Sequence, residues 1–196
     1  NPVLIAVVLV VAVLVGTGTD YSTYFEGAQF VHFLLGPATV ALAIPLYRQF
    51  QEVKRSAGAL LVSVITGSLT AALSALAIGW ALGVSRDSLL SLAPKSVTAP
   101  VAMGITEQLG GLPSLTAVLV IVTGILGAML GPPLLNLLRI RNWAARGLAL
   151  GTASHGIATA RALQVNEIAG AFSGLAMGLN ALATAVLLPI LLGFIF

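Results

Sequence analysis

The sequence predicts an all-α polytopic membrane protein, a helical bundle with two interrupted or re-entrant helical hairpins in an inverted repeat. Of the 196 residues, 58% are hydrophobic and only 8% are charged, whereas soluble domains carry about 25% charged residues. The apolar segments are long enough for membrane helices, and the basic residues fall between them, as the positive-inside rule expects. Two further apolar segments are interrupted by polar residues, proline and glycine.

Composition also excludes several classes of function. The chain has no cysteine, which excludes disulfides and thiolate metal sites. Its net charge of +3 is not the large positive charge typical of a nucleic-acid-binding surface. It contains no glycine-rich phosphate loop, no zinc-protease motif and no nucleophile elbow. We therefore expect no enzymatic activity, no catalytic residue, no metal, no cofactor and no nucleic-acid partner.

The whole chain, 1–196, is predicted to form one transmembrane domain. Its parts are the N-terminal helices (1–56), a first unit of helix plus hairpin (57–112), a second such unit (113–166) and a final helix (167–196). Because the chain starts with Asn1 and its first apolar segment is short for a span of about 20 residues, we expect further N-terminal sequence. The five other apolar segments are Pro2–Val15, Ala28–Leu46 (kinked or partly unwound at Gly36-Pro37 and Pro45), Ala57–Val84, Pro113–Leu130 and Ile168–Phe196.

Loops are predicted at Thr17–Gly27 and Arg48–Arg55. Gly131-Pro132-Pro133 is expected to end the fourth segment, because proline removes a helical N–H. An interfacial helix is then expected at Leu134–Asn142.

Two basic loops set the orientation. Arg48–Arg55 and Arg139–Arg146 hold six of the nine Lys and Arg residues, so both should be cytoplasmic. The apolar segment before Leu89–Leu109 then runs outward and the segment after it runs inward, so this stretch must begin and end outside. This predicts a re-entrant hairpin with Lys95 and Ser96 near its tip. Trp143–Val165 is either a hairpin entering from the cytoplasm, with Ser154-His155 at its tip, or a broken helix that crosses.

An internal repeat supports the hairpin interpretation. Val64–Leu73 aligns with Ile121–Leu130, and downstream Ser96 falls opposite Ser154 after a one-residue gap. Because the two aligned helices run in opposite directions, the repeat is inverted. Inverted repeats with interrupted segments at corresponding positions indicate a transport site at the repeat interface.

The polar residues of the two tips predict a site for a small organic anion. Helix N-termini after each tip favour negative charge, hydroxyls supply donors, and Lys or Arg supplies positive charge. Each hydroxyl alone is also compatible with bonding back to its own helix. Arg161 is close enough to the cytoplasmic end of its arm to extend to the interface, and His155 is either a proton carrier or a neutral capping group. The predicted substrate-binding residues are Lys95, Ser96, Thr98, Thr152, Ser154, His155, Gly156, Thr159 and Arg161, with Glu107 and Asn180 behind them.

Three stretches carry a resemblance to a known family. Phe33–Tyr47, Pro94–Met103 and Gly147–Ala162 closely resemble the LrgB/CidB family of bacterial inner-membrane proteins, and the likeness spans nearly the whole chain. The resemblance implies a multi-pass protein of the bacterial inner (plasma) membrane. Members modulate murein hydrolase activity and autolysis with a small holin-like partner of the LrgA/CidA type. The family also includes the plastid glycolate/glycerate translocator, which implies small monocarboxylates as substrate.

Two functions follow as hypotheses. The first is a transporter of small monocarboxylates, such as glycolate, pyruvate or lactate, with its anion site at the hairpin tips. The second is a holin- or antiholin-like regulator of murein hydrolases. Polarity concentrated at two tips, rather than along whole helices, favours the first. The expected partners are a small organic anion, the lipid bilayer, an LrgA/CidA-type protein and a second copy in a homodimer. Gly127-xxx-Gly131 and Gly174-xxx-Gly178 also allow close approach of helices within one chain.

Overall fold

The structure, a computed structural model, describes residues 2–34, 37 and 43–195. These residues are mostly helical and contain no β-strand, which confirms the all-α class. They form two compact units, Asn1–Ile44 and Pro45–Phe196. The helices are α1 Pro2–Thr17, α2 Tyr21–Phe33, α3 Ala43–Arg48, α4 Phe50–Arg55, α5 Ala57–Ala81, α6 Arg86–Leu92, α7 Ala99–Leu109, α8 Pro113–Leu137, α9 Trp143–Val165 and α10 Glu167–Ile195.

Three helices of the second unit, α5, α8 and α10, are long and apolar enough to cross a membrane. A helix of 25 residues, the length of α5 and of α8, measures about 37 Å, against a hydrocarbon core of about 30 Å. Large apolar side chains such as Val62, Val118 and Leu182 lie exposed on these helices, where lipid solvates them. The chain is therefore a multi-pass helical membrane protein, as its composition predicts.

The first hairpin consists of α6 and α7. Helix α6 returns along the end of α5, where Gly79 leaves room for it: a Cβ there would lie 2.6 Å from Leu89 Cδ2. The Leu112 N–H donates to Ser91 Oγ at 2.8 Å, and Thr116 Oγ1 donates to the Ser91 carbonyl at 3.0 Å. The exit of this hairpin therefore lies beside its first arm, so the chain has turned back on itself, as a re-entrant segment requires.

The second hairpin lies within α9, whose backbone is not helical at Ser154 and His155. The φ of His155 is 42°, a value uncommon outside glycine that costs on the order of 1–3 kcal/mol. Before this break, Gly147 packs on the backbone of Ala169 and Gly151 on that of Ser173. Residue numbers rise together in these pairs, so the first arm runs parallel to α10.

The second arm of α9 runs the opposite way. Thr159 Oγ1 lies 2.8 Å from Ser173 Oγ, and Leu163, one turn further along, packs against Gly170. In these contacting pairs the residue numbers on α10 fall as those on α9 rise, so the second arm is antiparallel to α10. The chain therefore reverses at Ser154-His155 and returns to the level where it began, which decides for a hairpin over a crossing helix.

The two hairpins lie against opposite ends of α10. Leu89, Leu90 and Ile105 of the first share a buried cluster with Leu188 and Leu192 near the C-terminal end of α10. The second packs on the N-terminal half of α10, as described above. This opposed entry is the arrangement that an inverted repeat would produce; the correspondence of the two units in sequence stays a prediction.

Two predicted loops contain helix instead. The loop expected at Thr17–Gly27 includes the start of α2, because the Asp20 carboxylate accepts hydrogen bonds from the N–H groups of Ser22 and Thr23, as an N-cap does. Hydrogen bonds from the Ser22 and Thr23 side chains lower the pKa of Asp20 to about 2. The basic loop expected at Arg48–Arg55 includes α4.

The predicted end of the fourth segment is wrong. Helix α8 continues through Pro132 and Pro133 to Leu137, so no separate interfacial helix occupies Leu134–Asn142. Prolines are tolerated in membrane helices when neighbouring groups satisfy the backbone. The carbonyls that lose a helical N–H partner to these prolines are those of Ala128 and Met129, four residues earlier. Arg146 instead braces the turn that follows, donating to the Pro132 carbonyl at 3.4 Å and to Asn136 Oδ1 at 2.8 Å. In the second predicted segment, Ala28–Leu46, α2 ends at Phe33, and the kink residue Gly36 lies outside the described residues.

Replacing Gly151 by alanine is expected to destabilise the second unit by about 1–3 kcal/mol, the usual cost of overpacking. Its Cβ would collide with the backbone carbonyl of Ser173, which cannot move without shifting α10. Gly178→Ala is the matched control, since nothing lies within 4 Å of its Cβ position. Thermal unfolding of both variants in detergent tests this; equal midpoints for the two would contradict the packing of α9 on α10.

Candidate functional site: the meeting point of the two hairpin tips

Asn180 joins the two hairpin tips at the middle of α10. Its side chain is fully buried, with 0% exposure. Its Nδ2 donates to the Ser96 carbonyl at 3.2 Å and to the Thr152 carbonyl at 3.0 Å. Because an amide NH₂ has two protons to donate, one residue satisfies a carbonyl from each hairpin. Asn180 was expected only behind the site; the structure places it at the junction.

The first tip presents a positive charge. The half-buried ammonium of Lys95 donates to Ser96 Oγ at 3.2 Å. No described carboxylate forms an ion pair with Lys95; Glu167 and Glu52 pair with Arg48 and Arg55 instead. A partly buried ammonium without a counter-ion favours the approach of an anion.

The N-terminus of α7 adjoins this charge. Thr98 is the N-cap residue, yet its side chain makes no capping hydrogen bond. Pro100, near the helix start, has no N–H to satisfy. The positive end of the α7 dipole therefore lies three residues from Lys95 without a side-chain cap.

The second tip fits against glycines of α8. His155 is buried, and its Nε2 lies 2.9 Å from the Val120 carbonyl. A Cβ at Gly124 would lie 2.7 Å from His155 Cε1, and one at Gly127 would collide with Ser154. The glycines of α8, including those of the Gly127-xxx-Gly131 pattern, thus make room for the protein's own hairpin. The Asn180 amide, bonded to the carbonyls of Ser96 and Thr152, places the two tips beside each other.

The buried hydroxyls near the tips differ in their partners. Thr159 Oγ1 donates to the His155 carbonyl at 2.8 Å and contacts Ser173, so it is satisfied within the protein and joins the second arm of α9 to α10. Thr152 Oγ1 and Asn180 Oδ1 are buried but have no hydrogen-bond partner among the described residues. Buried polar atoms are normally paired, so each of these two oxygens has an unused capacity to accept a hydrogen bond.

A cavity of about 370 Å³ leads to Thr152 between α5 and the first arm of α9. Sites for small molecules commonly measure about 300–1,000 Å³. Small side chains form most of its wall, which leaves the space open along the arm. The lining residues are Ser63, Gly67, Ala71, Ala145, Leu148, Ala149, Thr152 and Ala153.

Two predicted residues, Arg161 and Glu107, lie away from the tips. Arg161 is exposed and lines a crevice with Trp143 and Arg146 near the ends of α9. Glu107 is exposed near the end of α7. Gly156 is half-buried directly after the tip, where the nearest atom to a Cβ would be Met177 Sδ at 3.7 Å.

Sequence reasoning missed two hydroxyl pairs that cross between helices. Ser68 of α5 lies 2.9 Å from Thr184 of α10, one turn beyond Asn180. Thr106 lies 2.8 Å from Thr116 at the base of the first hairpin. Isolated hydroxyls in apolar helices are the only sequence signal for such pairs, and it does not identify the partner.

The fold and site together define a class: multi-pass helical membrane proteins whose interrupted, re-entrant segments meet near the middle of the bundle. Comparison with known proteins identifies the family. The LrgB model, described as LrgB-like family, matches residues 1–194, so the chain belongs to the LrgB family. It is 42% identical to the uncharacterized protein YxaC of Bacillus subtilis over 180 residues, covering 92% of this chain and 78% of YxaC.

Other relatives carry a functional name. The chain is 35% identical over 192 residues to the holin-like protein CidB of Staphylococcus epidermidis, covering 98% of this chain and 84% of that protein. The match to the holin-like protein CidB of Staphylococcus aureus has the same identity and coverage. No solved structure matches the chain.

Proposed function

We propose that the protein transports small monocarboxylates across the bacterial membrane and binds them where the two hairpin tips meet. The observation that carries the proposal is Lys95, a half-buried ammonium at a hairpin tip without a described carboxylate partner. An interior cation without a counter-ion suits a substrate that brings the negative charge. The expected substrates are glycolate, pyruvate and lactate.

The substrate carboxylate is expected to bind to Lys95 Nζ and Ser96 Oγ, beside the N-terminus of α7. Thr98 would flank this position on the first tip, whereas the Ser154 hydroxyl of the second tip lies against Gly127 of α8. Thr152 Oγ1 and Asn180 Oδ1, the two unpartnered oxygens, would accept hydrogen bonds from a substrate hydroxyl or from water that accompanies it. The cavity along the first arm of α9 is the proposed route to Thr152 from the end of the bundle that carries Arg139–Arg146.

Opposed hairpins also provide a means of alternating access. Each tip reaches the middle of α10 from a different end, so displacement of one hairpin opens the site toward one face while the other keeps it closed. Asn180 holds both tips in the closed arrangement. The three long helices form the frame against which the hairpins would move.

The second candidate is a holin- or antiholin-like regulator of murein hydrolases, and the names of the relatives favour it. CidB proteins are named holin-like, and such a protein would act with an LrgA/CidA-type partner. A homodimer is compatible with either function.

Flux into proteoliposomes separates the two candidates. A transporter takes up labelled glycolate or pyruvate with saturation, while a larger anionic dye trapped inside stays there. A holin-like pore releases the dye and passes the carboxylate without saturation. Dye release together with unsaturable flux, or the absence of any carboxylate flux, would refute the transport proposal.

A further inference from the structure

A second cationic site lies at the base of the α9 hairpin, away from the tips. Trp143, Arg146 and Arg161 line one crevice there, together with the apolar residues Leu150 and Val165. The Arg146 guanidinium carbon lies 5.2 Å from the centre of the Trp143 ring, over its face, which fixes both groups in position.

The crevice lies at the depth where lipid headgroups meet acyl chains. Its wall includes Pro132, five residues before the end of α8, and Ala169, two residues after the start of α10. At about 1.5 Å per residue, these positions are about 3–8 Å inside the ends of the spanning helices. Tryptophan is enriched at this level of membrane proteins.

The charges of this crevice are not balanced within the described residues. Arg146 donates to Asn136 Oδ1 and to the carbonyls of Ile140 and Pro132, so its protons are directed to neutral groups. Arg161 forms no ion pair in the described structure, and Glu167, at the adjacent start of α10, is paired with Arg48 at 3.3 Å. The site therefore offers uncompensated positive charge to an anion from outside the chain.

We infer that this crevice binds the phosphodiester of an anionic phospholipid. The Arg161 guanidinium offers a planar fork that matches phosphate oxygens, and the exposed Val165 gives an acyl chain an apolar surface. The positive-inside rule assigns this end to the cytoplasmic side, whose leaflet carries anionic lipid. The inference does not depend on the transport proposal.

Lipid-dependent thermal stability of the purified full chain tests this site. Phosphatidylglycerol is expected to raise the unfolding midpoint of the wild type in detergent, and phosphatidylcholine is not. Arg161→Gln should lose most of this increase, and Arg161→Lys should keep part of it. Arg141→Gln is the matched control, because Arg141 is exposed near the same end and does not line the crevice.

Three outcomes would overturn the inference. The first is equal stabilisation by both lipids, and the second is an undiminished phosphatidylglycerol effect in Arg161→Gln. In the third, inorganic phosphate stabilises the wild type as much as phosphatidylglycerol does, which would indicate a site for a free anion. If Arg161→Gln does not fold, native mass spectrometry of the wild type replaces the thermal test. Retention of more phosphatidylglycerol than phosphatidylcholine would support the site, and equal retention of the two lipids would overturn the inference.

Discussion

Lys95→Met is expected to lower carboxylate uptake at low substrate concentration by at least tenfold. Methionine matches the length of the side chain but removes the ammonium that is proposed to bind the substrate carboxylate. A hydrogen bond to a charged group contributes about 1.5–3 kcal/mol, which corresponds to roughly 10- to 100-fold in affinity. Initial rates in proteoliposomes over a range of substrate concentrations measure the effect as a raised KM or as lost saturation.

Two further lysine variants control this result. Lys54→Met removes a charge from the exposed surface of α4 and should leave uptake unchanged. Lys95→Arg keeps the charge in a larger group and should retain a fraction of the uptake. If Lys95→Met takes up substrate as the wild type does, Lys95 does not bind the anion and the site lies elsewhere.

Asn180→Leu is expected to destabilise the second unit by at least about 2 kcal/mol. Leucine has a similar volume but donates nothing, so the carbonyls of Ser96 and Thr152 lose the bonds that Asn180 makes to them. Each buried acceptor left unpaired costs about 1–3 kcal/mol. Thermal unfolding measures the loss, and exposure of both tips to hydrogen exchange should rise with it.

Gln164→Leu makes the same chemical change at an exposed position of the second hairpin and should leave stability nearly unaltered. Asn180→Asp should be as harmful as Asn180→Leu, because a carboxylate would face two carbonyl oxygens. A wild-type midpoint for Asn180→Leu would show that the two tips do not depend on this bridge.

The sequence predicts the hairpins because their evidence is local and topological. Basic loops determine on which side of the membrane each segment begins and ends. Pro94, Pro100 and Gly156 mark where a helix is interrupted. The helices α5 and α10 begin within a residue of the predicted segments, Ala57–Val84 and Ile168–Phe196. These features depend on composition and spacing, which a single chain displays.

Contacts between distant residues could not be predicted in the same way. Asn180 reaches a carbonyl 84 residues away, and only packing of α10 against both hairpins creates that proximity. Past Pro132, α8 is braced by the Arg146 side chain, which donates to the Pro132 carbonyl from α9. A rule based on proline alone omits this tertiary support.

The most direct test of the proposed site is substrate protection of a single cysteine at its centre. These 196 residues contain no cysteine, so Ser96→Cys introduces one thiol next to Lys95 with little change in volume. Its rate of modification by a small hydrophilic thiol reagent is measured with increasing glycolate or pyruvate. A saturable slowing by the carboxylate, absent with a neutral amide of the same size, is the predicted result. A modification rate that stays constant at substrate concentrations saturating uptake would contradict a site at the hairpin tips.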